Sequence, residues 1–148
     1  MNICTLRFSG ALAVIAVALG TSANADAPAG RYTTANATVY DTKTKLTWQQ
    51  TVPSATYNWA DAKAYCAGLN LNGTGWRLPT CKELQTIVDD SRTSPAIDPN
   101  AFPSTPTRSF WSSSPFVTVS SEAWLVSFSN GNTSINVVSS LDNVRCVR

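Results

Sequence analysis

Apolar residues run along this chain with different periods, and each period predicts a different element. Residues 11–19 are apolar without interruption, behind a lone cation at Arg7 and ahead of Ala23-Asn24-Ala25. That order of charged, apolar and small residues is the layout of a cleavable export signal, and the run is too short to span a bilayer, which takes about 20 apolar residues. Residues 1–25 are expected to be removed as a signal peptide, and 26–30 to form a short disordered lead-in. Residues 37–40 and 45–49 flank the turn-prone Asp41-Thr42-Lys43-Thr44, which predicts a β-hairpin. Trp59, Ala62, Cys66 and Leu69 then recur at helical spacing within residues 58–69, with Asn58 as the N-cap.

Trp76-Arg77-Leu78-Pro79 interrupts the helical pattern, because proline disfavours the α region at the residue before it. Thr80 and Glu83 have the spacing of a capping box, which predicts a second helix with Leu84, Ile87 and Val88 inward, ended by Asp89-Asp90-Ser91. Residues 94–107 hold four of the eight prolines and read as a long irregular loop, either a functional surface or a packed cover. From there the pattern is β. Strands are expected at 108–113, at 122–129 with Trp124, Val126 and Phe128 on one face, and at 133–138 with Ile135 and Val137 inward. Asn130-Gly131 carries the signal of a type I′ turn between the last two. A closing strand over 143–148 would place Val144 and Cys146 on one face, Arg145 and Val147 on the other. Helices set between N-terminal and C-terminal strands indicate an α+β fold with an antiparallel sheet, and there is no internal repeat.

Composition narrows the function classes. The formal net charge is +2 and drops by one when Arg7 leaves with the leader, so no basic surface for nucleic acid is expected. Charged residues are 14% of the chain, so solubility falls to the Ser, Thr and Asn that crowd residues 104–143. Cys4 precedes the apolar run and leaves with it; Cys66, Cys81 and Cys146 remain. In an oxidising compartment one bridge and one unpaired thiol are expected, and the sequence by itself allows three pairings.

Four segments carry a resemblance: residues 42–50 (TKTKLTWQQ), 57–84 (YNWADAKAYCAGLNLNGTGWRLPTCKEL), 110–115 (FWSSSP) with 123–131, and the closing 144–148 (VRCVR). In this order they resemble the Lcl C-terminal domain family, named for the terminal module of a bacterial collagen-like adhesin. The resemblance spans nearly the whole chain after residue 30, implying a single domain over 31–148. It also implies a C-type-lectin-like fold: two helices, a twisted antiparallel sheet and long loops. Such a fold bridges its first helix to its last strand, and Cys66 and Cys146 match those positions. Cys81 departs from the pattern. Next to a helix cap, it is expected to be a free thiol, either buried and inert or reactive and able to link two chains.

The chain has no histidine, which removes Ser–His and Cys–His catalysis and His-based zinc sites. Ser112, Ser113 and Ser114 have no evident activating base and read as strand and loop polarity. Asp89, Asp90 and Asp98 do not form the spaced carboxylate pair of a glycosidase, and with Asn100 they fit no calcium loop. Trp48, Trp59, Trp76, Trp111 and Trp124 lie within apolar patterns and are expected mostly in the core, while Arg77 reads as a structural hydrogen-bonder. No enzyme activity, cofactor or metal is expected. The reading is an exported recognition module, periplasmic, on the cell surface or extracellular, that binds a glycan or protein. Its candidate ligand-binding residues are Ser113, Ser114, Glu122, Asn130, Asn132, Asn136 and Asn143. The alternatives are an assembly subunit, joined through Cys81 or a sheet edge, and more remotely a polysaccharide hydrolase.

Overall fold

The computed structural model describes residues 30–148; the expected signal peptide and all but the last residue of the lead-in lie outside them. The fold is α+β, with two helices and two three-stranded antiparallel sheets in place of the single sheet expected. The first sheet runs β1 (Tyr32–Ala35), β2 (Thr38–Asp41), β3 (Thr47–Gln49) in that order. The expected hairpin is β2–β3, and β1 is a strand that the sequence pattern did not announce. β1 and β2 join through Asn36 and Ala37, both left-handed at φ 49° and 62°, with Ala35 opposite Thr38. That is the geometry of a two-residue type I′ turn.

Helix α1 (Trp59–Gly68) starts where Asn58 accepts the N–H of Asp61, the expected cap. Helix α2 (Cys81–Thr86) is shorter than its apolar pattern suggested. Its Thr80/Glu83 capping box is complete, and Ile87 already sits beyond the last turn, although it is buried. The second sheet runs β4 (Ser109–Pro115), β5 (Glu122–Ser127), β6 (Thr133–Val137). Between β5 and β6 only Gly131 of the expected type I′ pair is left-handed, at φ 78°. The connection is correspondingly wider, and a Cβ on Gly131 would lie 2.6 Å from the Val88 side chain, so the turn packs against the end of α2 with no room for one.

β5 is buried on both faces and divides the interior in two. Trp124 and Val126 join Val39, Trp48, Leu84, Ile97, Phe102, Phe110 and Phe128 in one cluster. Ala123 and Leu125 face Ala62, Cys66, Trp76, Leu78, Trp111, Val144 and Cys146 in the other. Alternation along the strand therefore feeds two cores rather than a core and solvent.

The closing segment is not the regular strand expected. It forms isolated bridges instead, Val147 pairing with Trp48 on one side and Arg77 on the other, and Asn143 with Phe110. Gln49 N–H donates to the Cys146 carbonyl (2.9 Å), and Trp111 N–H to that of Asn143 (3.0 Å), so one short segment ties both sheets together. Its period of two survives: Val144 and Cys146 enter the second cluster, Val147 the first. Cys66 on α1 is bonded to Cys146, with Cα atoms 5.4 Å apart.

Candidate functional site

The candidate ligand residues do not converge. Ser113 and Glu122 lie at one end of the second sheet, and Asn130 and Asn132 at the other, separated by the six residues of β5, roughly 20 Å. Several are occupied by the fold itself. Ser114 Oγ accepts the Cys81 N–H (3.1 Å), Asn143 is buried with Nδ2 donating to the Ser109 carbonyl (3.1 Å), and Asn130 Oδ1 accepts the Asn132 N–H (3.2 Å). Asn136 holds the turn after β6, donating to Asp142 Oδ2 (3.0 Å) and accepting from Val137 N–H (2.9 Å) and Ser140 Oγ (3.2 Å). Burial pushes the Asp142 carboxyl above the usual range, against the opposing hydrogen bond from Asn136.

Cys81 requires a correction. It is fully buried in the first core cluster, and no free cysteine stands among the described residues. Its sulfur is carried inward and is disulfide-bonded, so it is not the unpaired thiol expected.

The acids considered for catalysis serve turns. Asp89 pairs with Arg92 (2.9 Å) and caps Ser91, while Asp98 accepts from the Asn100 N–H (2.8 Å). Among the described residues no three His, Cys, Asp or Glu side chains gather as a metal site would need. Arg77 forms a two-point pair with Glu83 (2.8 and 2.7 Å), which together with the Thr80 bonds holds the Glu83 carboxyl below its usual range against burial. Trp48, Trp76, Trp111 and Trp124 are buried. Trp59 is half-buried, its Nε1 donating to the Ser112 carbonyl (2.7 Å) and its ring covered by Lys63 Nζ, 3.4 Å from the centroid.

What the sequence pattern missed is an apolar fringe. Ile135 and Val137 were expected inward, yet they are 39% and 45% exposed, with Val117 at 71%, Val119 at 41% and Leu141 at 65%. Alternation is intact, since Ile135 lies opposite Trp124, but β6 is the sheet edge and the core ends before reaching it. Val137 lies opposite Glu122, whose N–H bonds the Val119 carbonyl (3.1 Å), so the β4–β5 loop and the β6 edge adjoin. Scattered exposed apolar residues are ordinary, whereas contiguous ones mark interaction surfaces.

The second feature missed is Arg145, fully buried in the first core. Its guanidinium carbon lies 4.6, 5.8 and 6.0 Å from the ring centroids of Phe102, Phe110 and Phe128. Nη2 donates to Thr105 Oγ1 (2.8 Å), which pins the proline-rich loop over the core. Burial pushes the pKa down to about 9, so the group stays cationic at neutral pH. Burying an unpaired cation costs several kcal/mol, of which cation–π contacts return roughly 0.5–2 each.

Among the described residues no helix is long and apolar enough to cross a membrane. No curated protein matches the chain. The profile of the Lcl C-terminal domain matches residues 37–148, from the start of the β2 hairpin to the closing segment that β3 and Arg77 flank. The chain belongs to the Lcl C-terminal domain family.

Proposed function

We propose that this chain is an exported, non-catalytic recognition module that binds a protein partner through the apolar fringe of the second sheet. The observation that carries the reading is the gathering of exposed Val117, Val119, Ile135 and Val137 where the β4–β5 loop meets the β6 edge. An aliphatic fringe suits a protein surface better than a glycan, because sugars favour exposed aromatic faces: four of the five tryptophans are buried, Lys63 covers the ring of the fifth, and the exposed ring of Tyr40 belongs to β2 of the other sheet. Export rests on the leader-like residues 1–25. We take the fold to be a C-type-lectin-like variant, a reading supported by the bridge from the first helix to the closing segment.

The test is binding of the domain to immobilised extracellular-matrix proteins and, in parallel, to a glycan array. The triple substitution Val117→Thr, Val137→Thr and Leu141→Gln should leave the fold intact and abolish protein binding. Ligands found only on the glycan array, or protein binding untouched by the substitutions, would contradict the reading. So would no binding to either at tens of micromolar. An exposed edge strand also suits a second copy of the chain. Concentration-dependent dimers in sedimentation, lost in the triple variant, would establish the assembly reading in its place.

A further inference from the structure

We propose that the interior between Trp48 and Arg145 binds a small monovalent anion of the halide class. Three buried N–H groups find no acceptor among the described residues: Trp48 Nε1, Arg145 Nε and Arg145 Nη1. They share the first core. Trp48 lies opposite Val147 and packs in the same core cluster as Phe102, Phe110 and Phe128, the rings that surround the Arg145 guanidinium, whose Nη2 reaches the Gln50 carbonyl (3.5 Å).

The unmet groups are all donors. Among the described residues no buried side-chain acceptor is left without a partner. A water molecule would bring protons that need acceptors of their own, whereas an anion brings acceptance alone. The charge points the same way, since Arg145 has no Asp or Glu partner among the described residues and Tyr32 is the titratable group that bears on it. Burial raises the Tyr32 pKa, so that phenol is neutral at neutral pH and balances nothing. A single positive charge among close-packed Phe102, Phe110 and Phe128 calls for one compact negative charge.

Thermal unfolding of the whole domain in sodium chloride or bromide, against gluconate at matched ionic strength, reads the site directly. Wild type should gain a halide-specific rise in Tm that saturates as one-site binding does. Trp48→Phe keeps most of the ring and removes one donor, and should raise the half-saturating concentration roughly tenfold. A Tm set by ionic strength alone, or a Trp48→Phe response equal to wild type, overturns the proposal. If Trp48→Phe fails to fold, crystals of wild type grown in bromide decide: an anomalous peak within hydrogen-bond distance of Trp48 Nε1 and Arg145 supports the site, and its absence overturns it.

Discussion

Asp41 shows how a residue read as ordinary turn polarity becomes structural. Fully buried, it accepts from Arg31 Nε (3.2 Å) and Nη2 (2.9 Å), from the Lys43 N–H (2.9 Å) and from Thr44 Oγ1 (2.9 Å). Burial works against its ionisation, but these bonds prevail and hold the carboxyl below its usual range. A carboxyl with a depressed folded pKa adds stability that is present above its unfolded pKa of about 4 and is lost as pH falls through the folded value. Asp41→Asn should therefore cost about 2–4 kcal/mol in urea unfolding at pH 7, and much less at pH 2. Asp142 has the opposite sign: its raised pKa makes its ionised form a liability that acid relieves. Neither shift was legible in the sequence, because Arg31 is ten residues from Asp41 and the burial that raises Asp142 exists only once the turn after β6 is folded. Arg145 was placed on the correct face by simple alternation. That it would be buried without a carboxylate was not legible, since its surroundings come from residues 102 to 128.

Elements with local signals were the legible ones. The α1 cap, the α2 capping box and the β2–β3 hairpin each rest on residues a few positions apart, and each formed as expected. Thr80→Ala should cost about 1 kcal/mol, measured by chemical unfolding, by orphaning the Glu83 N–H at the start of α2. β1 went unseen because its turn uses Ala37, a residue that carries no turn signal. An alanine at φ 62° is strained by roughly 1–2 kcal/mol. Ala37→Gly, which creates the favoured Asn-Gly pair, should raise stability by about 0.5–1 kcal/mol after glycine's own entropic cost. A decrease would show that the turn is not left-handed. β6 misled for a different reason. Its period was right, but periodicity reports which residues share a face and not how far the core extends beneath them.

At the scale of the whole molecule, the closing segment does what no regular element does here. It spans both sheets, supplies residues to both cores and anchors α1 through Cys66–Cys146. The bridge closes a separation of 80 residues, worth roughly 4–5 kcal/mol in the chain-entropy account. The Cys66→Ser/Cys146→Ser double variant should lose most of that in denaturant titration, with little change in secondary structure. The α+β class was legible, since helices between strands impose it. The division into two sheets was not: the continuous apolar run of residues 123–126 announces a strand buried on both faces, but not which strands pair with it. The candidate site was the least legible of all. Polarity along residues 104–143 pointed to serines and asparagines, several of which the fold consumes, and the exposed fringe consists of residues whose chemistry announces a core.

Affinity for immobilised matrix proteins, wild type against the Val117→Thr, Val137→Thr, Leu141→Gln variant with matched unfolding curves, tests that surface most directly. Because all three positions are exposed, each change should alter stability by no more than about 0.5 kcal/mol. The account predicts that binding is lost while stability is kept; binding retained in the variant would contradict it.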